Sequence, residues 1–485
     1  MKRSWLALIL LLTALIPAAW SQSQVKPLSS TQVMAWLAGG VSNHRLIRLV
    51  KENGTDFAVT PDYSQAVKAA GGDAALVQAL QPAGKNLAVK STSCSPILVK
   101  AAGLAHQKQF EKAENLLREL LPADSENAAL HFALGYALQK QDRPDEALDE
   151  LTESVQLMPG LPEVHIQLAS LFFSSGDGDN AIAEARTALS IDPANAEGYR
   201  LLGLGLYSTG QYDAAMHAYQ ESLEREHDNP EAYYDIGITL QDKGDLHGAA
   251  SAYRHALTLN PASWETHSNL GNVLHDQGKL EDAIEEYREA KRLAPQEESV
   301  RNNLGNTFCD KGDYDAAIAE LRELYQMAPN WPNGHSCLAK ALVTKHEYDA
   351  AVSELRLAVL HNPTGSNEHR SLGQALLLVG KDDEALTELQ TAVSLNPDSD
   401  LAHHFLGTAL FEAQKFEAAE KEFREALRLK PTADNHYSLA ACLVTLNRYD
   451  EALAELETAS HLDPSETLYR ARKEELLKLM RTREQ

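Results

Sequence analysis

Prolines recur in this chain with a period that leaves few folds open. Pro159, Pro193, Pro261, Pro295, Pro329, Pro363, Pro397, Pro431 and Pro464 each follow an apolar stretch. Successive gaps are 34 residues, apart from one double step of 68, where His227 stands in the skipped place, and a last step of 33. Several prolines arrive in nearly the same phrase: Leu-Asn-Pro at 259–261 and 395–397, Ile-Asp-Pro at 191–193, Leu-Asp-Pro at 462–464. A period of this length marks one supersecondary unit that cannot bury its apolar face alone and so stacks on copies of itself.

Aligned on that period, the chain divides into eleven units starting at residues 94, 128, 162, 196, 230, 264, 298, 332, 366, 400 and 433. The eighth position is always small: Ala101, Gly135, Ala169, Gly203, Gly237, Gly271, Gly305, Ala339, Gly373, Gly407 and Ala440. The twentieth is always alanine, from Ala113 through Ala283 to Ala452. Each unit holds two amphipathic stretches with apolar residues at helical spacing, joined by a polar turn such as Asp242-Lys243-Gly244-Asp245. Two antiparallel helices pack at short interaxial distance only where no bulky side chain stands at the crossing. A glycine inside a helix costs about 1 kcal/mol relative to alanine, so its return at one place requires a packing reason. The proline then ends the second helix.

These features resemble the tetratricopeptide repeat, over residues 94–466. Leu270-Gly271-Asn272-Val273, Ala283, Tyr287, Ala290 and Pro295 carry the whole signature in one unit. The resemblance implies an all-α fold, a right-handed superhelical solenoid of about eleven helix-turn-helix repeats. Departures are small: Lys100 and Ser125 in the first unit, and a tenth unit one residue short near Thr432. Residues 467–485 read as a capping helix, with Leu468, Ala471, Leu476 and Met480 toward the last repeat and Arg470, Lys473, Lys478 and Arg481 toward water.

The resemblance also implies where a partner sits. In such repeats the first helix lines a groove through its second, fifth, ninth, twelfth and thirteenth positions. Carried onto this chain, the middle of the groove comprises Tyr234, Ile238, Gln241 and Asp242, then Ser268, Asn272, His275 and Asp276, then Asn302, Asn306 and Asp310, then Ser336 and Lys340. Amides and hydroxyls there suit the backbone of an extended peptide. Asn269 and Asn303, at the sixth position of adjacent units, are similar to the peptide-binding ladder of O-linked N-acetylglucosamine transferases. That ladder breaks at Asp235 and Cys337, and no transferase domain is present. The clamp for chaperone C-termini needs Lys where Asn302 stands, so carboxylate capture of that kind is not expected.

Ahead of the repeats, residues 29–82 read as a separate module of four short helices punctuated by Gly39-Gly40, Gly54 and Gly71-Gly72. Its expected core is Leu46, Ile47, Val50, Val67, Ala70, Leu76, Val77 and Leu80. The first helix, through Ala38, should stop at the glycine pair, and Thr60-Pro61 has the form of an N-cap followed by proline. Residues 83–93 read as a linker. Residues 1–21 have a basic start, an apolar run over Trp5–Ile16 and small residues at Ala19 and Ser21, the pattern of a cleaved secretory signal. An uncleaved anchor is the alternative, and no other segment has the apolar length of a membrane span.

The remaining composition narrows the function. A net charge of −25 repels phosphate backbones, which argues against nucleic acid as a partner. Cys94, Cys309, Cys337 and Cys442 are too few for a disulfide scaffold and lack metal-ligand spacing. Seven histidines, His131, His165, His267, His335, His369, His403 and His436, hold the fourth position of their units, where Tyr199 and Tyr233 stand in two others. That register makes them packing residues and not metal ligands. No nucleotide loop or nucleophile motif appears. The expectation is an exported, non-catalytic scaffold in the cell envelope, without cofactor or metal, that holds proteins or peptides in its groove. Self-association of repeat faces, or an accessory role related to repeat-containing glycosyltransferases, are the competing classes.

Overall fold

A computed structural model describes residues 27–81 and 94–483. The expected signal (1–21) and linker (83–93) lie outside them. Among the described residues there are 27 α-helices and no strand, only an isolated parallel bridge between Leu28 and Thr55. The chain divides into two compact units, Met1–Lys243 and Gly244–Gln485.

The first unit opens with α1 (Ser30–Ala38), α2 (Asn43–Asn53), α3 (Pro61–Ala69) and α4 (Ala74–Leu80). Both sequence signals are used as expected: α1 ends at Gly39, and Thr60 caps α3 with Pro61 in its first turn. The hairpins follow: α5 (Pro96–His106) with α6 (Phe110–Leu120), α7 (Ala128–Gln139) with α8 (Pro144–Leu157), α9 (Pro162–Ser174) with α10 (Gly178–Ile191), α11 (Ala196–Ser208) with α12 (Tyr212–Arg225), then α13 (Pro230–Asp242).

The second unit continues with α14 (Leu246–Leu259), α15 (Trp264–Asp276) with α16 (Leu280–Leu293), α17 (Glu298–Lys311) with α18 (Tyr314–Met327), and α19 (His335–Thr344) with α20 (Tyr348–His361). After these come α21 (Ser366–Leu378) with α22 (Asp382–Leu395), α23 (Asp400–Glu412) with α24 (Phe416–Leu429), α25 (Ala433–Thr445) with α26 (Tyr449–Leu462), and α27 (Thr467–Arg483).

Two devices set each hairpin. The fifteenth residue of every repeat is left-handed: Gly176, Gly210, Gly244, Gly278, Gly312 and Gly380 in six, and Lys108, Asp142, His346, Gln414 and Asn447 in the other five. Glycine is favoured because a side chain is strained there, and the short chain reversal needs that backbone. At the helix crossing, the eighth-position glycine faces a large residue at position 24. A Cβ on Gly271 would lie 2.7 Å from Tyr287 Cε1, and one on Gly203 2.4 Å from Tyr219 Cε1. Gly305 meets Leu321 and Gly407 meets Phe423 in the same way.

The recurrent histidine is a rung between the two helices. In all seven repeats Nδ1 lies 2.5–2.7 Å from the carboxylate of the glutamate 19 residues on, as His165 does with Glu184 and His403 with Glu422. In five of them Nε2 reaches the carbonyl six residues back, Pro159 for His165 and Pro397 for His403. Arg301 takes over both contacts in the seventh repeat, bonding Glu323 at 2.7 Å and the Pro295 carbonyl. The ring therefore joins the two helices and the turn before them.

The first and last repeat interfaces carry the same four-residue ion network. Glu114 binds Arg118 and Arg143, and both arginines reach Glu146. Glu420 binds Arg424 and Arg448, and both reach Glu451. Burial would push the Glu114 and Glu420 carboxyls up, but their arginines hold both below the ordinary glutamate value.

Two expectations are corrected. The eighth repeat's first helix starts at His335, three residues into its unit, because Gly334, two residues after Pro332, adopts φ +93°. In the capping helix Leu468 and Ala471 are exposed. Leu476 and Met480 turn inward as expected, but Tyr469 and the half-buried Lys473, expected in water, take the inward places given to Leu468 and Ala471. Tyr469 is buried, lies beside Tyr437 with the rings tilted and their centroids 5.3 Å apart, and donates its hydroxyl to Asp434 at 2.6 Å.

Candidate protein-binding surface

The N-terminal module does not close a core of its own. Leu46, Val50, Val67, Ala70, Leu76 and Leu80 are buried as expected and Ile47 and Val77 partly so, but their cluster runs on into Leu98, Phe132, Leu134 and Leu161 of the repeats. Helix α1 packs on α5 and α7, the first helices of repeats 1 and 2. The module's glycine turns touch the face assigned to the groove. Gly39 approaches Phe132 and Gly40 approaches Tyr136, the fifth and ninth positions of repeat 2, and Gly71 approaches His106. A side chain at any of these glycines would collide, so the glycines permit the seating as well as ending helices.

Charges fix the module's other edge. Arg45 Nε lies 2.6 Å from Glu163, at the second position of repeat 3, and its Nη1 lies 2.9 Å from Asp192. Arg48 also binds Asp192 and donates to the Ala194 carbonyl at 2.7 Å. The Arg45 and Glu163 side chains are only 13% and 4% exposed, so this pair is shielded from water.

The sequence-derived groove residues fall in both units. In the first unit, Tyr234, Ile238 and Gln241 lie half-buried on α13. Asp242 is exposed and accepts from the Tyr207 hydroxyl at 2.5 Å. Asp235, on the same helix, is buried against Arg200 at 2.8 Å, and burial pushes its carboxyl up to about 6 although Arg200 pulls the other way.

In the second unit the polar residues sort into two groups. Asn272 Oδ1 accepts from the Tyr287 hydroxyl at 2.7 Å and from Asn303 Nδ2 at 2.9 Å. Asn302 is buried and donates to Asn303 Oδ1 at 3.3 Å, while its own Oδ1 has no partner. His275 Nε2 meets Asp310 at 2.9 Å, and its Nδ1 lies 3.7 Å from Asp276. Ser268 is buried and Asn269 half-buried. These side chains largely bind one another across adjacent repeats. Asn306 is half-buried and Ser336 and Lys340 are exposed. The side chains of Asn306 and Lys340 take part in none of these bonds.

One feature of this face was not read from the sequence. Cys309 and Cys337 form a disulfide, Cα to Cα 6.2 Å, that ties α17 to α19; Cys94 and Cys442 are free. They stand at the twelfth position of one repeat and the sixth of the next, 28 residues apart. The usable signal was that register, because first helices of neighbouring repeats lie side by side. Among the described residues no group of three or more His, Cys, Asp or Glu is placed to hold a metal, and no helix is long and apolar enough to cross a membrane.

Sequence models of the tetratricopeptide repeat match residues 103–162, 138–205, 203–244, 234–298, 299–330 and 405–467. The chain belongs to the tetratricopeptide-repeat family. No curated protein matches it in sequence. Solved structures that the chain resembles include the APC/C hetero-tetramer Cut9–Hcn1, at 15% identity and TM-score 0.42, covering 79% of this chain and 90% of that one. Pseudomonas aeruginosa PilF matches at 21% identity and TM-score 0.40 over 46% of this chain and 98% of its own. Yeast Tom70 matches at 15% and 0.34, over 79% and 94%. Tetratricopeptide repeats commonly mediate protein interactions, and repeat arrays of this kind are typically non-catalytic.

Proposed function

We propose that this chain is a non-catalytic scaffold that holds polypeptide segments against the first-helix face of its repeats. One observation carries the reading: in the first unit that face already holds protein, because the chain's own α1 and its glycine turns are seated on Phe132, Tyr136 and His106. The same repeat positions in the second unit offer Asn306, Ser336 and Lys340 to solvent or to a partner. Amide and ammonium groups there donate and accept without demanding one sequence, which suits an extended peptide.

The cell envelope is the proposed location. The signal-like residues 1–21 support it, and so does the Cys309–Cys337 disulfide, a bond that persists in oxidising compartments. Co-purification from the envelope fraction tests the reading. An Asn306→Ala plus Lys340→Ala protein, whose fold loses no internal hydrogen bond, should bring down less partner protein than the parent. Equal recovery at equal melting temperature would count against it.

A further inference from the structure

Position five of the repeat is arginine twice, and the two arginines have opposite surroundings. Arg200, on α11, is saturated: Nη1 binds Asp235 at 2.8 Å, and Nε and Nη2 bind both oxygens of Glu197. Arg370 holds the same position on α21, yet neither acid is repeated. Asn367 stands three residues before it where Glu197 precedes Arg200, and Phe405 stands 35 residues after it where Asp235 follows Arg200. The Arg370 Nε is buried without a hydrogen-bond partner. Glu368 and Asp400 act on Arg370 from a distance, but neither reaches it as an ion pair, and burial pushes the guanidinium below the usual arginine value.

Leaving a half-buried guanidinium unpaired costs stability, since its charge is partly desolvated with no hydrogen bond in return. The surroundings point to what completes it. Lys340, on the preceding repeat, is exposed, so with the half-buried Arg370 this stretch of an otherwise acidic chain presents two cations. Leu378, at the C-terminal end of α21, is 47% exposed, and Leu401, at the N-terminal end of α23, is 48% exposed.

Resting on the proposed peptide-binding role, we infer that Arg370 is the anchor for an aspartate or glutamate side chain of an extended partner segment, with apolar residues on both sides of the acid. The partner's carboxylate takes the place that Asp235 and Glu197 take at Arg200, forming a bidentate guanidinium–carboxylate pair. Apolar side chains flanking the acid rest on Leu378 and Leu401. An internal side chain is favoured over a free C-terminus because apolar surface continues at both ends of the helices.

The test uses the full chain as bait for a random dodecamer library displayed with both peptide ends blocked, followed by affinities of amidated synthetic copies. Enriched peptides should carry an acid flanked by apolar residues, and changing that acid to its amide should weaken binding at least tenfold. An Arg370→Gln chain should lose the acid-over-amide preference while melting at the same temperature as the parent or higher. Peptides that enrich without an acid, that need a free C-terminus, or whose acid preference survives Arg370→Gln would overturn the inference. If such peptides still weaken with Asn306→Ala plus Lys340→Ala, the groove reading stands without it. A library that yields no binder overturns both.

Discussion

Arg45 donates to Glu163 across 118 residues of sequence, joining a helix of the N-terminal module to the second position of the third repeat. Both side chains are shielded from water, so removing Arg45 leaves the Glu163 carboxylate buried and unpaired, a change that costs about 3–5 kcal/mol. Arg45→Ala should therefore lower the melting temperature of the first unit. Hydrogen exchange should show residues 30–53 losing protection before the hairpins do. Unchanged protection there would mean that the apolar contacts of α1 alone seat the module.

The glycine at the helix crossing should not tolerate even a methyl group. Gly271→Ala places a Cβ 2.7 Å from a buried ring whose hydroxyl is held by Asn272. Overpacking of this kind costs about 1–3 kcal/mol, which outweighs alanine's helix preference of about 1 kcal/mol. Adding Tyr287→Leu should recover much of the loss, because Ala339 and Leu355 already coexist at the equivalent places of repeat 8. Thermal melts of the single and double variants give the coupling directly.

Reduction should weaken the second unit. The Cys309–Cys337 bond closes a loop of 28 residues, which corresponds to roughly 3–4 kcal/mol of constraint on the unfolded chain. Replacing both by serine should lower the melting temperature and abolish its sensitivity to reductant, whereas Cys94→Ser should leave that sensitivity intact. Alkylation of the denatured chain should count two free thiols before reduction and four after it.

The histidine rung gives a pH dependence with a definite sign. Burial alone pushes His267 down, but Glu286 and the Pro261 carbonyl more than reverse this, so its folded value lies above the ordinary histidine value. Its contribution is fully present below the unfolded value of about 6.5 and is lost as pH rises through the higher folded value. The melting temperature of native protein minus that of His267→Gln should be larger at pH 5.5 than at pH 8.5. A difference that grows with pH would contradict the pairing.

The repeat frame was legible because each unit must solve the same packing problem. A small eighth residue and an alanine at position 20 are forced by close helix contact, and the proline by the need to end the second helix, so they return on schedule. Contacts that depend on which repeats are neighbours leave no such rhythm. Arg45 and Glu163 sit 118 residues apart, and nothing periodic pairs them. The groove positions could be placed on a helix face, but how far Asn272 and Asn303 are engaged with Tyr287 and each other depends on side-chain reach. On α27 the inward side was read correctly at Leu476 and Met480 but missed at Tyr469 and Lys473, since the cap has only one neighbour and its apolar pattern is correspondingly weak. Cys309 and Cys337 were dismissed on count, whereas their register in adjacent first helices was the informative quantity.

If polypeptide docks on the first-helix face, residues there should touch a partner and residues on the outer side of the second helices should not. Site-specific photocrosslinking in the living cell separates the two faces, with a benzophenone amino acid in place of Asn306 on the first-helix face or of Arg288 on the exposed side of α16. Discrete protein adducts should form from position 306 and none from 288. Equal crosslinking from both positions, or adducts from 288 alone, would contradict docking on the first-helix face.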